Sequence, residues 1–278
     1  MKIQMEPYKN LAVFFLILIL SGCSLEYKLA RSFVEEAEKP ALMFIGADYL
    51  YKTSLKEKDI SQAGEMDQFA LDSALYYQSR FLQNIEDERF MKTFEHAYIQ
   101  ELQELGFDVY REYQMDAFLL REGPSFMINM AQMEMEEYYY SLRDEEVFDG
   151  YRYYKDVDLN AVGLNCWFEL SLMNSDDKKI LYASNYTMDE YQGSFRYYPF
   201  TGEVSHQYEI DSLSVGNVYN FAGILGKKYA GYTFDYIMNM YIYSNLPANQ
   251  EPGTFYHYNR QKNNFIPAGE DRFEPLDQ

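Results

Sequence analysis

The stretch "AVGLNCWFELSLM" (residues 161–173) has the clearest alternation of apolar and polar side chains in this chain. Successive side chains of a strand point to opposite faces, so strict alternation indicates a strand with one buried and one wet face. We expect the even-numbered residues from Val162 to Leu172 to point into the core. The opposite face then carries Asn165, Trp167, Glu169 and Ser171.

The neighbouring segments predict strands that pair with this one. Turn residues "NSDD" (174–177) follow it, so residues 180–188 are expected to return as an antiparallel partner. Another hairpin is predicted from residues 195–198 and 204–210. In "SFMINMAQMEMEEY" (125–138), alternation predicts one face with Met127, Ala131, Met133 and Met135, and the other with Gln132, Glu134 and Glu136.

The first part of the domain has a different pattern. Residues 41–51 predict a strand, residues 66–82 and 84–105 predict helices, and residues 107–112 predict a second strand. A strand–helix–strand order indicates a crossover to a parallel neighbour. From Val218 to Tyr243, an apolar stripe at helical spacing predicts a long helix after Ser212 or Ser214. We therefore predict an α+β fold: a mixed, mostly antiparallel sheet with an N-terminal strand–helix–strand unit and a long C-terminal helix packed on it.

The N-terminus has the pattern of an export signal. Lys2 and Lys9 precede an unbroken apolar run at residues 11–20. A membrane-spanning helix needs about 20 apolar residues, whereas the apolar region of a signal peptide needs about 7–15. The run is therefore typical of a cleavable signal.

The end of this run, Leu20-Ser21-Gly22-Cys23, resembles the lipobox of bacterial lipoproteins. The resemblance implies that Cys23 is diacylglycerated, that the signal is cut before it, and that Cys23 becomes the acylated first residue. Several acyl chains, such as palmitate, anchor a protein firmly, because each buried methylene contributes about 0.8 kcal/mol. Ser24 at the next position implies the outer membrane of a Gram-negative cell envelope, and the leaflet is left open.

These patterns predict the domain organisation. Residues 1–22 form the signal peptide, and residues 23–39 form a tether with a short amphipathic helix before Pro40. Residues 40–246 are expected to form a single α+β domain. Residues 247–278 are expected to be an irregular C-terminal tail, because four of the eight prolines lie there.

Composition narrows the classes of partner. Lys and Arg number 24 against 44 Asp and Glu, a net charge of −20, which argues against nucleic-acid binding. The chain also has 29 tyrosines and 20 phenylalanines but one tryptophan. Tyrosine is favoured both in half-buried sheets and in recognition surfaces, so two interpretations stay open. One is a tyrosine-rich sheet, and the other is a glycan-binding or protein-docking face.

Motifs for catalysis are missing from the sequence. It has three histidines and no His-Glu-x-x-His, Cys-x-x-Cys, Gly-x-Ser-x-Gly or phosphate-binding glycine loop. Cys166 alternates with apolar residues, which predicts a buried and unreactive thiol. We therefore expect a non-catalytic protein without a metal or cofactor.

One polar group of residues is a candidate binding site. Asn165, Trp167 and Glu169 share a face of one predicted strand, and Glu134 and Glu136 share a face of another. If these strands are neighbours, the five side chains form an acidic platform with one indole, suited to a sugar or a basic peptide. The other interpretation is a sheet face that is simply wet or covered by a helix.

Three functions are consistent with these patterns. The first is an acylated, non-catalytic envelope protein that docks an envelope protein partner, as an accessory or assembly component. In its order of acyl-cysteine, tether and compact α+β domain, the chain resembles accessory lipoproteins of envelope transport and secretion machines. The second is a glycan-binding surface lipoprotein, and the third is a hydrolase with a carboxylate pair.

Overall fold

The computed structural model describes residues 24–61, 63–173, 175, 178–250, 253–269 and 272–275. The predicted lipobox with Cys23 lies outside these residues. In chain order the helices are α1 (Leu25–Glu35), α2 (Gln68–Gln78), α3 (Asp87–Glu104), α4 (Met115–Leu119) and α5 (Val215–Asn245). The strands are β1 (Ala41–Ile45), β2 (Leu50–Ser54), β3 (Val109–Arg111), β4 (Ser125–Phe148), β5 (Tyr151–Leu172), β6 (Lys178–Met188), β7 (Glu190–Tyr198), β8 (Glu203–Asp211), β9 (Phe255–Asn259), β10 (Asn264–Ala268) and β11 (Glu274–Pro275).

The described residues form two compact units. The larger unit consists of those from Pro40 to Ala230 and those after Arg272. The smaller unit consists of those before Pro40 and those from Gly231 to Arg272. The boundary between the two units falls within α5, between Ala230 and Gly231. The predicted single domain at residues 40–246 therefore includes residues of both units. Among the described helices, none is long and apolar enough to cross a membrane.

The larger unit contains the central sheet, in the order β11-β6-β5-β4-β1-β3. β4, β5 and β6 are antiparallel to one another, while β1 runs parallel to both β3 and β4. β2 also pairs with β4 in parallel, further along that strand than β1. The predicted α+β fold with a mixed sheet and a long C-terminal helix on it is confirmed, and so is the predicted parallel neighbour of the first strand.

The core lies between one face of this sheet and helices α3 and α5. The ring of Phe168 lies 6.3 Å from that of Phe94 and 5.7 Å from that of Tyr98, both on α3. Tyr229 of α5 lies 5.9 Å from the same ring. The thiol of Cys166 is buried on this face, and burial raises its pKa. The even-numbered residues of β5 therefore point inward as the alternation predicted.

A bulge in β4 corrects one prediction about the faces of the sheet. Met130 pairs with Phe168, but Gln132 pairs with Trp167, so one extra residue lies between them. The inner face therefore uses even-numbered residues up to Met130 and odd-numbered residues from Met133 onward. Met127, predicted to share a face with Met133, lies on the opposite face. The alternation pattern did not reveal the bulge, because methionines occupy both even-numbered and odd-numbered positions of this segment.

Two other segments differ from their predictions. The strand predicted at residues 41–51 is divided into β1 and β2, and the second extends to Ser54. The tail predicted to be irregular contains the antiparallel hairpin β9–β10. β1 and β2 both pair with β4, which is distant in sequence, whereas β9 pairs with the adjacent β10 and is held by side chains of α5.

Beyond the core, β4 and β5 continue as a long hairpin. It is closed by Asp149 and Gly150, which have φ values of 50° and 81°, as a two-residue hairpin turn requires. The hairpin β7–β8 confirms the one predicted around Thr201-Gly202. Phe148 stacks on Tyr197 with ring centroids 5.6 Å apart, so the two hairpins contact each other near their tips.

Candidate functional site

The strand register brings the predicted site residues onto one face of the sheet. Glu134 lies directly opposite Asn165, and Glu136 lies opposite Gly163. Trp167 lies opposite Gln132, and Glu169 lies opposite Asn129. Opposed residues point to the same side of a sheet, so Glu134, Glu136, Asn165, Trp167 and Glu169 share one surface. We call this surface, opposite to the face that packs on α3 and α5, the outer face.

Aromatic rings stand on both sides of Asn165 on the outer face. Toward one end of β5, the rings of Trp167 and Tyr182 lie 4.7 Å apart. Toward the other end, Tyr186 lies 5.6 Å from Tyr140 and 6.5 Å from Tyr138. Tyr182 and Tyr186 are each one two-residue step from Ser184, which lies opposite Asn165, so these two rings are about 13 Å apart at the backbone.

Between these walls lies a row of smaller or acidic side chains across four strands. Tyr51 of β2 is opposite Glu134, and Ser184 of β6 is opposite Asn165. Gly163 adds no side chain, and a Cβ there would lie 3.2 Å from the ring of Tyr138. The result is a strip of acid and amide side chains, the floor, between two groups of aromatic rings, the walls. We call it the trough and define it by Glu134, Glu136, Asn165, Trp167, Tyr182 and Tyr186.

The floor of the trough carries negative charge without a cation. Among the residues that the structure describes, Glu134 and Glu136 have no ion pair and no hydrogen bond. Burial, followed by the nearby Tyr186 and Glu136, raises the pKa of Tyr138. Glu169 is 3.9 Å from Lys178 at the edge of the trough. The trough thus has the electrostatics of a cation-binding surface.

Asn165 is the most buried polar residue of the outer face, with 6% of its surface exposed. Within the described part of the chain, its amide has no hydrogen-bond partner, and its nitrogen and oxygen are not among the fully buried unpaired atoms, so both keep contact with solvent. A ligand that pairs with this amide would replace solvent as its hydrogen-bond partner.

Two aromatic residues of the trough, and the neighbouring Tyr138, were missed in the sequence. Tyr182 and Tyr186 alternate along β6 in the same phase as Ser184, and their exposed fractions are 53% and 47%. This phase was a usable signal, because the return strand at residues 180–188 was predicted. Tyr138 gave no usable signal, because it stands in a run of three tyrosines whose phase depends on the bulge.

A second polar cluster lies on the inner face and is fully buried. Glu137 is 0% exposed, and Lys56 lies 2.7 Å from one of its carboxylate oxygens. Ser79 and the backbone N–H groups of Arg80 and Phe81 donate hydrogen bonds to the same carboxylate, at 2.7–3.0 Å. Burial opposes ionisation, but these donors outweigh it, and the pKa of Glu137 lies below its ordinary value. With every contact made inside the protein, the cluster is a structural one.

A third cluster joins the two hairpins. One oxygen of Asp144 accepts hydrogen bonds from the Tyr191 hydroxyl at 2.6 Å and from His206 Nε2 at 2.9 Å. Gly193 leaves the space for this contact, because a Cβ there would overlap both Tyr191 and Asp144. The cluster fixes β7 and β8 against β4.

The smaller unit has a fourth cluster, in which helix side chains replace a strand partner. Asn239 of α5 accepts from the Tyr256 N–H at 2.9 Å and donates to the Tyr256 carbonyl at 2.7 Å. Asp235, one turn earlier, accepts from the Tyr258 N–H at 2.8 Å and is hydrogen bonded to His257 Nδ1. All these bonds join α5 to β9, so the Asp235–His257 pair holds the tail hairpin.

We expect the His257 pKa to fall when Asp235 is replaced by asparagine. The hydrogen bond with Asp235 raises the pKa of His257 above its ordinary value of 6.5. A raised folded-state pKa means that the protonated pair stabilises the fold below about pH 6.5, and that this contribution is lost as pH rises through the raised pKa. NMR titration of the His257 ring in both proteins measures the shift. An unchanged titration in Asp235→Asn contradicts the assignment.

Outside the trough, the described residues form a surface depression but no cluster of metal ligands. Within the described ranges, no group of three or more His, Cys, Asp and Glu side chains is arranged to hold a metal ion. A surface depression of about 460 Å³ is lined by residues around β3, among them Gln103, Asp108 and Tyr110, and by none of the trough residues. No protein-family model matches the chain, and no curated protein matches it. The function of the chain is therefore inferred from the geometry of the site and from the sequence.

Proposed function

We propose that this chain is a lipid-anchored, non-catalytic protein of the bacterial cell envelope that docks a protein partner on its outer face. The observation that carries this proposal is the trough: rings and carboxylates presented on the surface of a paired antiparallel sheet. Tyr51 and Tyr182 each have 53% of their surface exposed there. Rigid aromatic side chains on a sheet supply contact area at low entropic cost, which is a property of binding surfaces.

The N-terminal sequence supports the anchor and the location. The short apolar run and the lipobox-like Leu20-Ser21-Gly22-Cys23 predict acylation of Cys23, and Ser24 predicts the outer membrane. Ser24 is also the N-cap of α1, where its hydroxyl accepts a hydrogen bond from the Tyr27 N–H at 3.1 Å. Only one residue therefore separates the predicted acyl group from the first helix.

Site-specific crosslinking in intact cells tests the docking function. A photo-crosslinking residue in place of Ser184, beside the trough, is expected to form a discrete protein adduct. The same residue in place of Tyr208, which is 59% exposed on β8, is the matched control and is expected to form none. Combining the Ser184 probe with Trp167→Ala and Tyr182→Ala is expected to abolish the adduct. An adduct that survives both substitutions, or one that forms equally from both probes, contradicts docking at the trough.

The anchor is tested separately from the trough. Wild-type protein is expected to incorporate labelled palmitate and to sediment with outer membranes, whereas Cys23→Ala is expected to do neither. Absence of the label from the wild-type protein contradicts the lipid anchor. The docking surface is then tested by the crosslinking result alone.

A further inference from the structure

We propose that the trough binds lysine or arginine side chains of an extended basic segment of the partner. This inference rests on the proposed docking function and names the chemistry of the docked segment. Three independent features of the outer face, as the described residues show it, support the inference: carboxylates without an ion pair, aromatic rings without a cation, and an amide without a hydrogen bond inside the protein.

The carboxylates of the trough differ from other acids on the same strands. Asp156 pairs with Arg143 at 2.7 Å, and Asp158 pairs with Lys58 at 2.6 Å. Glu137, adjacent in sequence to Glu136, pairs with Lys56. Among the described residues, Glu134 and Glu136 have no such partner, although each is partly buried. A ligand cation would supply the partner that the protein gives to neighbouring acids.

The aromatic rings of the trough contact one another but, among the described residues, likewise lack a cation. Elsewhere this protein places cations over tyrosine rings: Lys58 lies 4.1 Å from the centre of Tyr139, and Arg143 lies 4.6 Å from that of Tyr154. Trp167, Tyr182 and Tyr186 hold no cation within the part of the chain that the structure describes. Indole and phenol faces attract lysine and arginine, by about 0.5–1 kcal/mol at exposed sites.

The amide of Asn165 distinguishes a peptide from a simple cation. It has one acceptor and two donors, and within the described residues none of them is used. An extended peptide offers both an N–H and a carbonyl at each residue, so it pairs with both ends of this amide. Alternate side chains of such a peptide lie on one side about 6.7 Å apart. This is also the step from the Asn165 row to each aromatic wall.

A neutral sugar fits the trough less well. Sugars stack on flat ring surfaces, but the planes of Trp167 and Tyr182 are inclined at 41°. A neutral ligand would also cover Glu134 and Glu136 without balancing their charge, which carries a desolvation cost.

Trp167 is the only tryptophan of the chain, so its fluorescence reports on the trough directly. The full-length protein in nonionic detergent is titrated with a capped Gly-Lys-Gly-Lys-Gly peptide. We expect saturable changes in emission, weakened when salt rises from about 0.05 M to about 0.5 M. The same peptide with both lysines acetylated is expected to bind at least about tenfold more weakly.

Variants test which residues supply the binding. Glu134→Gln with Glu136→Gln is expected to weaken binding about tenfold, and Tyr182→Ala about threefold. Glu190→Gln with Glu209→Gln, two exposed acids of β7 and β8, changes the net charge equally and is expected to leave binding unchanged. Equal weakening by the two double variants overturns the inference, because it indicates attraction by net charge alone.

Two further outcomes separate this inference from the proposed function. In one outcome, a neutral tetrasaccharide causes saturable changes in emission and the lysine peptide does not. This result overturns the basic-segment inference but still shows that the trough binds a ligand. If the lysine peptide does not bind but the Ser184 crosslink still depends on Trp167, docking stands and the basic-segment inference fails.

Discussion

Replacement of Glu137 by glutamine is expected to lower the free energy of unfolding by about 3–5 kcal/mol. The substitution preserves side-chain volume but leaves the Lys56 ammonium buried without its counter-charge. The remaining hydrogen bond of Lys56, to the Asn160 side chain at 2.8 Å, is too weak to replace a carboxylate. The carboxylate is also the acceptor for Ser79 and for two backbone N–H groups, so the turn before α3 loses its anchor.

Urea unfolding of purified protein measures this effect, and the neighbouring residue supplies the control. Glu136→Gln makes the same chemical change on the outer face and is expected to alter the free energy of unfolding by less than about 0.5 kcal/mol. Lys56→Met combined with Glu137→Leu is expected to recover part of the loss, because no charge stays buried. Equal effects of Glu136→Gln and Glu137→Gln contradict the buried pair.

The same pair predicts how stability depends on pH. Because the pKa of Glu137 lies below its ordinary value of 4.5, the carboxylate stabilises the fold at pH values above 4.5. That contribution is lost as pH falls through the lowered pKa, where the native carboxylate takes up a proton. The difference in stability between wild type and Glu137→Gln is therefore expected to shrink in acid.

Replacement of Gly226 by alanine is expected to destabilise the protein by about 1–3 kcal/mol. Gly226 of α5 faces α3, and a Cβ there would lie 3.0 Å from the Tyr98 nitrogen and 3.1 Å from the Ala97 Cβ. It would also come well inside contact distance of the Phe94 carbonyl oxygen. Because two of these atoms belong to a helix backbone, the helices must move apart, and contacts of Tyr229 with Phe168 are weakened.

Gly223, one turn earlier in α5, is the matched control. The nearest atom to a Cβ there is a methyl carbon of Thr93 at 4.0 Å, so alanine fits. Alanine is also the better helix former, and Gly223→Ala is expected to stabilise the protein by about 0.5–1 kcal/mol. Denaturant unfolding of both variants decides the matter: similar changes in stability for the two would contradict the close helix contact.

Much of the larger unit could be predicted from the sequence because its signals are local. Alternation in residues 161–173 identified β5 and its faces, and the helical stripes identified α3 and α5. The placement of Glu137 could not be predicted in this way. Its partner Lys56 is 81 positions earlier, and an acid beside Glu136 suggests an outward side chain until the bulge in β4 is known.

The candidate site could be predicted from the sequence to a similar extent as the fold. Four of the six residues that define the trough, and Glu169 at its edge, followed from the phases of two strands, given only that those strands are neighbours. The second aromatic wall depends on the lack of a side chain at Gly163 and on the position of Tyr138 beside it. Both follow from the strand register, which the alternation of residue types does not determine. The tail hairpin was missed because side chains of a helix, Asp235 and Asn239, supply the hydrogen bonds that hold its first strand.

The hairpin of β4 and β5 has a consequence for how the binding surface tolerates insertion and deletion. From the turn at Asp149 to the row of Glu134 and Asn165, the pairing is continuous, and the extra residue of β4 lies beyond that row. One residue added or removed within this stretch would exchange the two faces of one strand and bring Lys56's counter-ion out to solvent. The spacing between turn and trough is therefore a quantity that natural variation and engineering must both preserve.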